Sequence, residues 1–182
     1  MTLDQFTDWQ RRQTVRHELV EGVPVMMAGG TRAHDRIQRN LITRLTERLR
    51  GTPCEPLGPD MMVRTGTGNG RYPDTTIDCG PYEATALFAA EPAVVFEILS
   101  ESNRPQDLIA KLRDYDATRE IRHYILISQH EVLVFVYSRA ANGSFSLHPL
   151  ELRGLDKVIE IPFPALSLPV TDIYEGVGFQ TG

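Results

Sequence analysis

The chain has 182 residues, 41% of them apolar and 24% charged, which excludes disorder and a fibrous repeat and suits one domain with a sizeable core. Its formal net charge of -5 speaks against coating nucleic acid by bulk electrostatics but leaves room for a local basic cleft. The N-terminus lacks an apolar signal core and no apolar stretch approaches spanning length, so a soluble, cytoplasmic protein without a membrane partner is expected.

Residues 1–13 read as a short helix or arm. Residues 16–27 alternate loosely and break at Glu21-Gly22, a hairpin signature. Thr31 is a candidate N-cap. Behind it, Ile37, Leu41, Leu45 and Leu49 recur at helical spacing, and Gly51 and Pro53 stop the helix. Cys54 and Cys79 belong to no CxxC pair or zinc-spaced cluster, so two reduced thiols are expected. Residues 61–64 form a strand, and 65–71, with Gly66, Gly68 and Gly70, a mobile loop poised to approach DNA. No Gly-Lys-Ser/Thr follows, so it is not a phosphate-binding loop. Strands at 74–78 and 93–99 come next, then a polar turn at 100–103 and a helix at 105–118 with proline in its first turn. Strands at 124–128 and 132–137 and a tail of short strands with one helical turn complete the chain. This order predicts an α/β fold, a mixed central sheet flanked by helices.

The chemistry concentrates around one residue. Glu97 sits in the middle of the apolar run Ala93 to Leu99, where an uncompensated charge costs on the order of several kcal/mol. An edge-strand position or an ion pair with Arg64 or Arg113 would explain it structurally. Asp74 follows Pro73 at the mouth of the preceding strand, where an aspartate is more often only a turn residue. Lys111 lies on the flank of the helix stripe marked by Leu108, Leu112 and Tyr115. An Asp107–Lys111 pair, worth about 0.3 kcal/mol, is the structural alternative for it. Two acids and a lysine are also what a divalent-metal phosphodiesterase needs. A hard cation such as Mg²⁺ takes carboxylate and carbonyl oxygens plus waters, and Asp74, Glu97 and the main-chain carbonyl of Ile98 would supply three.

These residues also fall into recognisable blocks: Glu18 to Gly22, His34, Tyr72-Pro73-Asp74, Val94 to Ser100, and Asp107-x-x-x-Lys111-x-x-x-Tyr115. As a set they resemble the Uma family of restriction-endonuclease-like proteins, in the PD-(D/E)XK nuclease superfamily, over roughly residues 15–140. The resemblance implies a single nuclease domain over 1–182, with a C-terminal extension of short strands beyond that core. It implies that Asp74 and Glu97 are metal ligands and that Lys111 replaces the lysine of the E-x-K motif, whose position Leu99 occupies. Glu18 matches the family's early acid, with Glu21 the competing choice. His34, Asp107 and Tyr115 are accessory candidates. Three places depart from the family: Glu101 stands where proline is usual, residues 120–124 match loosely, and Ser128 stands where aspartate is common.

The expectation is therefore an endonuclease using Mg²⁺ (or Mn²⁺) to hydrolyse DNA phosphodiesters, with Asp74, Glu97, Lys111 and Glu18 catalytic. A homodimer is expected because duplex cleavage favours two-fold pairing of sites. The rivals are an inactive nuclease-fold module that binds nucleic acid or protein, and a hydrolase of small phosphate esters. Arginines 32, 36, 39, 44, 48 and 50 make the long helix basic, usually a solvated face but also one that could follow a phosphate backbone.

Overall fold

The computed structural model describes residues 1–100 and 104–179. Residues 101–103, and with them Glu101 and most of the turn expected after the Glu97 strand, lie outside the described residues.

The first helix, α1 (Leu3–Gln10), starts on a Thr2–Gln5 capping box and buries Phe6. The strands β1 (His17–Val20) and β2 (Val23–Met26) follow. Their two-residue connection places Glu21 at φ 51° and Gly22 at φ 78°, the doubly left-handed turn that matches strand twist. The helix α2 (Arg32–Leu49) begins at Thr31, whose hydroxyl accepts the His34 amide, and buries Ile37, Leu41, Leu45 and Leu49, as its periodicity predicts.

Four short strands lead to the centre of the fold: β3 (Glu55–Leu57), β4 (Val63–Arg64), β5 (Gly70–Arg71) and β6 (Thr75–Asp78). The central strand β7 (Pro92–Leu99) is followed by α3 (Pro105–Asp116) and then by β8 (His123–Ser128) and β9 (Leu133–Ser138). The chain closes with β10 (Leu150–Arg153), β11 (Val158–Ile161), β12 (Leu166–Pro169) and the single turn α4 (Val170–Ile173).

The main sheet runs β10-β9-β8-β7-β6-β3, with β7 and β8 parallel across the α3 crossover and the other pairs antiparallel. A second sheet runs β2-β1-β5-β4. Successive residues of β7 point to opposite faces. Val94, Phe96 and Ile98 join the larger core under α2 and the C-terminal hairpin. Val95 and Leu99 join a second cluster with Tyr115 and Tyr124, beneath α3. Glu97 shares this second face, and it is internal to the sheet, so the edge-strand explanation fails.

Two expectations are corrected. Cys54 and Cys79 form a disulfide, with their Cα atoms 3.9 Å apart. Glu55 pairs with Asp78 across β3 and β6, so the cysteines are the next facing pair, a relation hidden by their 25-residue separation. The glycine-containing loop is not a free arm either. Thr65, Asn69, Gly70 and Arg71 are buried, and Gly66 lies under the end of α3, where a Cβ would stand 2.0 Å from the Ala117 carbonyl oxygen. Among the described residues no helix is long and apolar enough to cross a membrane.

Candidate active site

The register of the main sheet brings the acids together. Thr75 faces Phe96 across β6 and β7, so one residue further out Asp74 comes opposite Glu97. Its Oδ2 accepts the Ile98 amide at 2.7 Å, while Oδ1 lies 3.1 Å from His34 Nε2. The neighbouring peptide is held too, because Gln38 donates to the Asp74 carbonyl at 2.7 Å. Both His34 and Gln38 come from the first two turns of α2.

The helix α3 supplies the cation. Lys111 Nζ is 2.8 Å from each Glu97 oxygen, and Tyr115, one turn on, donates its hydroxyl to Glu97 Oε1 at 3.0 Å. The same ammonium stands 3.8 Å from Glu18 Oε1. Lys111 thus turns to the sheet, and neither Arg64 nor Arg113 serves Glu97. Arg113 instead pairs with Glu21 at 3.0 Å on the exposed hairpin turn. Of the two early acids, Glu18 reaches the cluster and Glu21 does not. The hairpin separates them: Glu18 lies within β1, and Glu21 occupies the turn.

Burial shapes the charges. Burial, opposed by Lys111 and reinforced by the nearby charges of Asp74 and Glu18, leaves the Glu97 carboxyl pushed up to about 7. For Lys111, burial disfavours the ammonium, but Glu97 and Glu18 outweigh it and raise its pKa. His34 behaves alike: burial opposes its protonation, and the hydrogen bond to Asp74 and the charges of Asp74 and Glu97 prevail. Burial, with Glu97 next, lifts the Tyr115 phenol well above its ordinary value, so it remains a donor.

These groups open onto a cavity of about 290 Å³. Glu18, His34, Asp74, Glu97, Ile98 and Lys111 line its polar wall. Asp107, exposed in the first turn of α3, stands at the rim. The residues after β2, from Met27 to Gly30, also line it.

A hard divalent cation suits the oxygens of Glu18, Asp74, Glu97 and the Ile98 carbonyl. Among the described residues, Glu18, Glu97 and Asp114 pair with Lys111 and Arg71, and Asp74 pairs with His34, so four acids meet two permanent cations before His34 is counted. No three His, Cys, Asp or Glu side chains among the described residues form a ready-made metal cluster. A third protein oxygen would therefore come from the main chain, and Ile98 lines the cavity beside both carboxylates.

With this geometry in view, comparison with known proteins is informative. The chain matches the Uma2 family model, described as "Putative restriction endonuclease", over residues 3–171. It belongs to the Uma2 family. Two similar proteins come from Synechocystis sp. (strain ATCC 27184 / PCC 6803 / Kazusa), both described as uncharacterized. One, slr1290, is 29% identical over 178 residues, covering 97% of this chain and 92% of that protein. The other, sll1609, is 23% identical over 167 residues, covering 90% and 93%. A crystal structure titled as a "putative nuclease belonging to DUF820" from Anabaena variabilis ATCC 29413 matches with a TM-score of 0.76. At 19% identity over 96% of this chain and 97% of that one, the likeness shows the fold, the mixed sheet flanked by helices expected from the sequence.

Two buried residues beside this Uma2 cluster escaped the sequence analysis. Arg71 immediately precedes Tyr72-Pro73-Asp74, at the end of the segment that the glycines mark as a mobile loop. Asp114, fully buried, lies three residues after Lys111 and so shares its helix face, which was the available signal.

Proposed function

We propose that this Uma2 chain is a divalent-metal-dependent endonuclease that hydrolyses DNA phosphodiester bonds. Family membership and the fold support a nuclease in the broad sense. The finer reading rests on one observation: Asp74, Glu97 and Lys111, from a strand entry, a central strand and the following helix, line one cavity together.

In this reading Asp74, Glu97 and the Ile98 carbonyl would hold Mg²⁺ or Mn²⁺. When bound, the cation supplies positive charge for the phosphoryl group and acidifies a water. The side chains of the chain do the rest. Lys111 keeps Glu97 in place and presents an ammonium to the scissile phosphate or the attacking water. Tyr115 fixes one Glu97 oxygen, and His34 together with the Ile98 amide fixes Asp74. Glu18 stands as a further acid beside Lys111, able to support a second cation. In duplex cleavage two copies of the chain would pair their sites about a two-fold axis.

Nicking of supercoiled plasmid tests the proposal. We expect nicking with Mg²⁺ or Mn²⁺ and its loss in Asp74→Ala, Glu97→Ala and Lys111→Ala. Plasmid left intact with both cations, alongside turnover of a phosphate monoester, would replace the nuclease by a small-ester hydrolase.

One feature favours a second reading, a nuclease-fold binding module without catalysis: both Glu97 oxygens are already occupied by Lys111 and Tyr115. Calorimetric titration with Mn²⁺ separates the two. Binding that disappears in Asp74→Ala supports the enzyme, and no binding by the wild-type chain supports the module.

A further inference from the structure

The Glu18 carboxylate, whose Oε1 faces Lys111 at 3.8 Å, is held by two further donors, and the chain of contacts that holds it begins on the same helix as Lys111. Arg71 Nη1 donates to Glu18 Oε2 at 2.9 Å, and the Tyr72 amide donates to Oε1 at 3.0 Å. The guanidinium is gripped at its other end by Asp114, whose Oδ2 accepts Arg71 Nε at 2.7 Å. Asp114 in turn accepts from Asn69 Nδ2 at 3.0 Å on both oxygens and from the Thr67 hydroxyl at 2.6 Å. All three charged members are buried, Asp114 completely.

We propose that Arg71 and Asp114 are positioning residues: Asp114 fixes the Arg71 guanidinium, and Arg71 fixes the Glu18 carboxylate against the Asp74–Glu97–Lys111 cluster. The proposal deepens the nuclease reading and rests on it for the role of Glu18.

Closing the loop does not require this arrangement. Asn69 and Thr67 already tie residues 65–69 to Asp114, and Thr118 receives the Gly66 amide at 2.9 Å. Beyond compensating their charge, a buried guanidinium that spans two carboxylates makes a fixed link from α3 to β1. The backbone prepares it, since Leu19 faces Gly70 across β1 and β5 and so sets Glu18 beside Arg71. Lysine is no substitute, because a point charge cannot form two directed hydrogen bonds in opposite directions as the planar fork does. Lys111, Asp114 and Tyr115 share one face of α3, so a single rigid helix sets both carboxylates, Glu97 directly and Glu18 through Arg71.

The test is a double-mutant cycle in the full chain. Its readout is the Mn²⁺ concentration that gives half-maximal plasmid nicking, and the NMR signal of the Arg71 Nε–H is followed in parallel. Residues that orient a metal ligand typically change metal affinity or activity about ten- to hundredfold. We expect a shift of that size in Asp114→Asn, and Arg71→Lys should match Arg71→Gln rather than rescue it. On a Glu18→Gln background, Asp114→Asn should have little further effect. An equal shift on both backgrounds, or full rescue by Arg71→Lys, overturns the positioning role. If Glu18→Gln alone leaves the metal dependence unchanged, the assigned role of Glu18 fails and takes the proposal with it.

The NMR arm decides where activity is lacking. A slowly exchanging Arg71 Nε–H that vanishes in Asp114→Asn, in a chain that still folds, supports the hold on the guanidinium. If Asp114→Asn does not fold, Arg71→Lys carries the nicking cycle on the Glu18→Gln background, and Thr67→Val, which removes one hydrogen bond to Asp114, carries the NMR comparison. Should the wild-type chain neither nick plasmid nor bind Mn²⁺, the nuclease reading fails, and an Arg71 signal indifferent to Asp114 would sink the positioning inference separately.

Discussion

Lys111 and Glu97 form a buried ion pair in which one ammonium lies 2.8 Å from both carboxylate oxygens, at the point where the central strand meets the crossover helix. The pair answers the problem posed by a carboxylate in an apolar strand. It does not balance the site, because Asp74 and Glu18 add charge of the same sign as Glu97.

Removing the lysine should therefore cost stability and create a demand for another cation. Breaking a buried pair by deleting one partner typically costs about 3–5 kcal/mol, and we expect Lys111→Met to approach that range in urea unfolding at neutral pH. Mn²⁺ should raise the melting temperature of Lys111→Met more than that of the wild-type chain, since a divalent ion can take the place of the lost charge. No Mn²⁺-induced shift in either protein would show that the carboxylates do not gather a cation.

Asp74 permits a cleaner separation of fold from chemistry. Asparagine in its place keeps an oxygen for the Ile98 amide, so Asp74→Asn should lose no more than about 1 kcal/mol of stability. Its nicking activity should nevertheless fall by a hundredfold or more, roughly the effect of removing a principal charge from a catalytic cluster. A variant that unfolds but retains activity per folded molecule would reverse the assignment.

Much of this was legible in the chain because the relevant signals are local. The stripe from Ile37 to Leu49 defines α2, and an acid inside an apolar run marks Glu97. The proline before Asp74 marks a strand entry, and helical spacing relates Lys111 to Tyr115. What escaped depends on tertiary pairing. The strands β3 and β5 are three and two residues long, too short for any period to register, and the Cys54–Cys79 bridge depends on β3. The choice between Glu18 and Glu21 turns on three residues of hairpin. Asn69 and Arg71 are buried through hydrogen bonds to Asp114, more than 40 positions away, a pairing that loop composition does not register.

That loop can be tested through Gly66. A methyl group there would meet the Ala117 main chain, with 2.0 Å to its oxygen and 2.6 Å to its carbonyl carbon, and backbone cannot swing aside like a flexible side chain. We expect Gly66→Ala to destabilise the protein by roughly 1–3 kcal/mol, the usual cost of overpacking, whereas Gly68→Ala meets no neighbour within 4 Å and is strained only by its φ of 83°. A mobile loop would accept Gly66→Ala at no cost in chemical denaturation.

At the opposite end of the sheet from the cluster, His123 gives the fold an acid sensitivity independent of the acids. Burial, and secondarily the charge of Arg122, lowers its pKa from 6.5, and Nδ1 lies 3.0 Å from the Ser138 hydroxyl. In the unfolded chain this histidine takes up a proton as pH falls through its ordinary value near 6.5, while in the folded chain it resists until lower pH. The unfolded state then binds more protons, so the contribution of His123 is fully present above about pH 6.5 and is lost as pH falls toward the lowered folded value. Replacing it with glutamine, which keeps a polar group near Ser138 without titrating, should flatten the fall in melting temperature between pH 7 and pH 5 relative to wild type. Identical slopes for His123→Gln and the wild-type chain would mean that another group governs the acid limb.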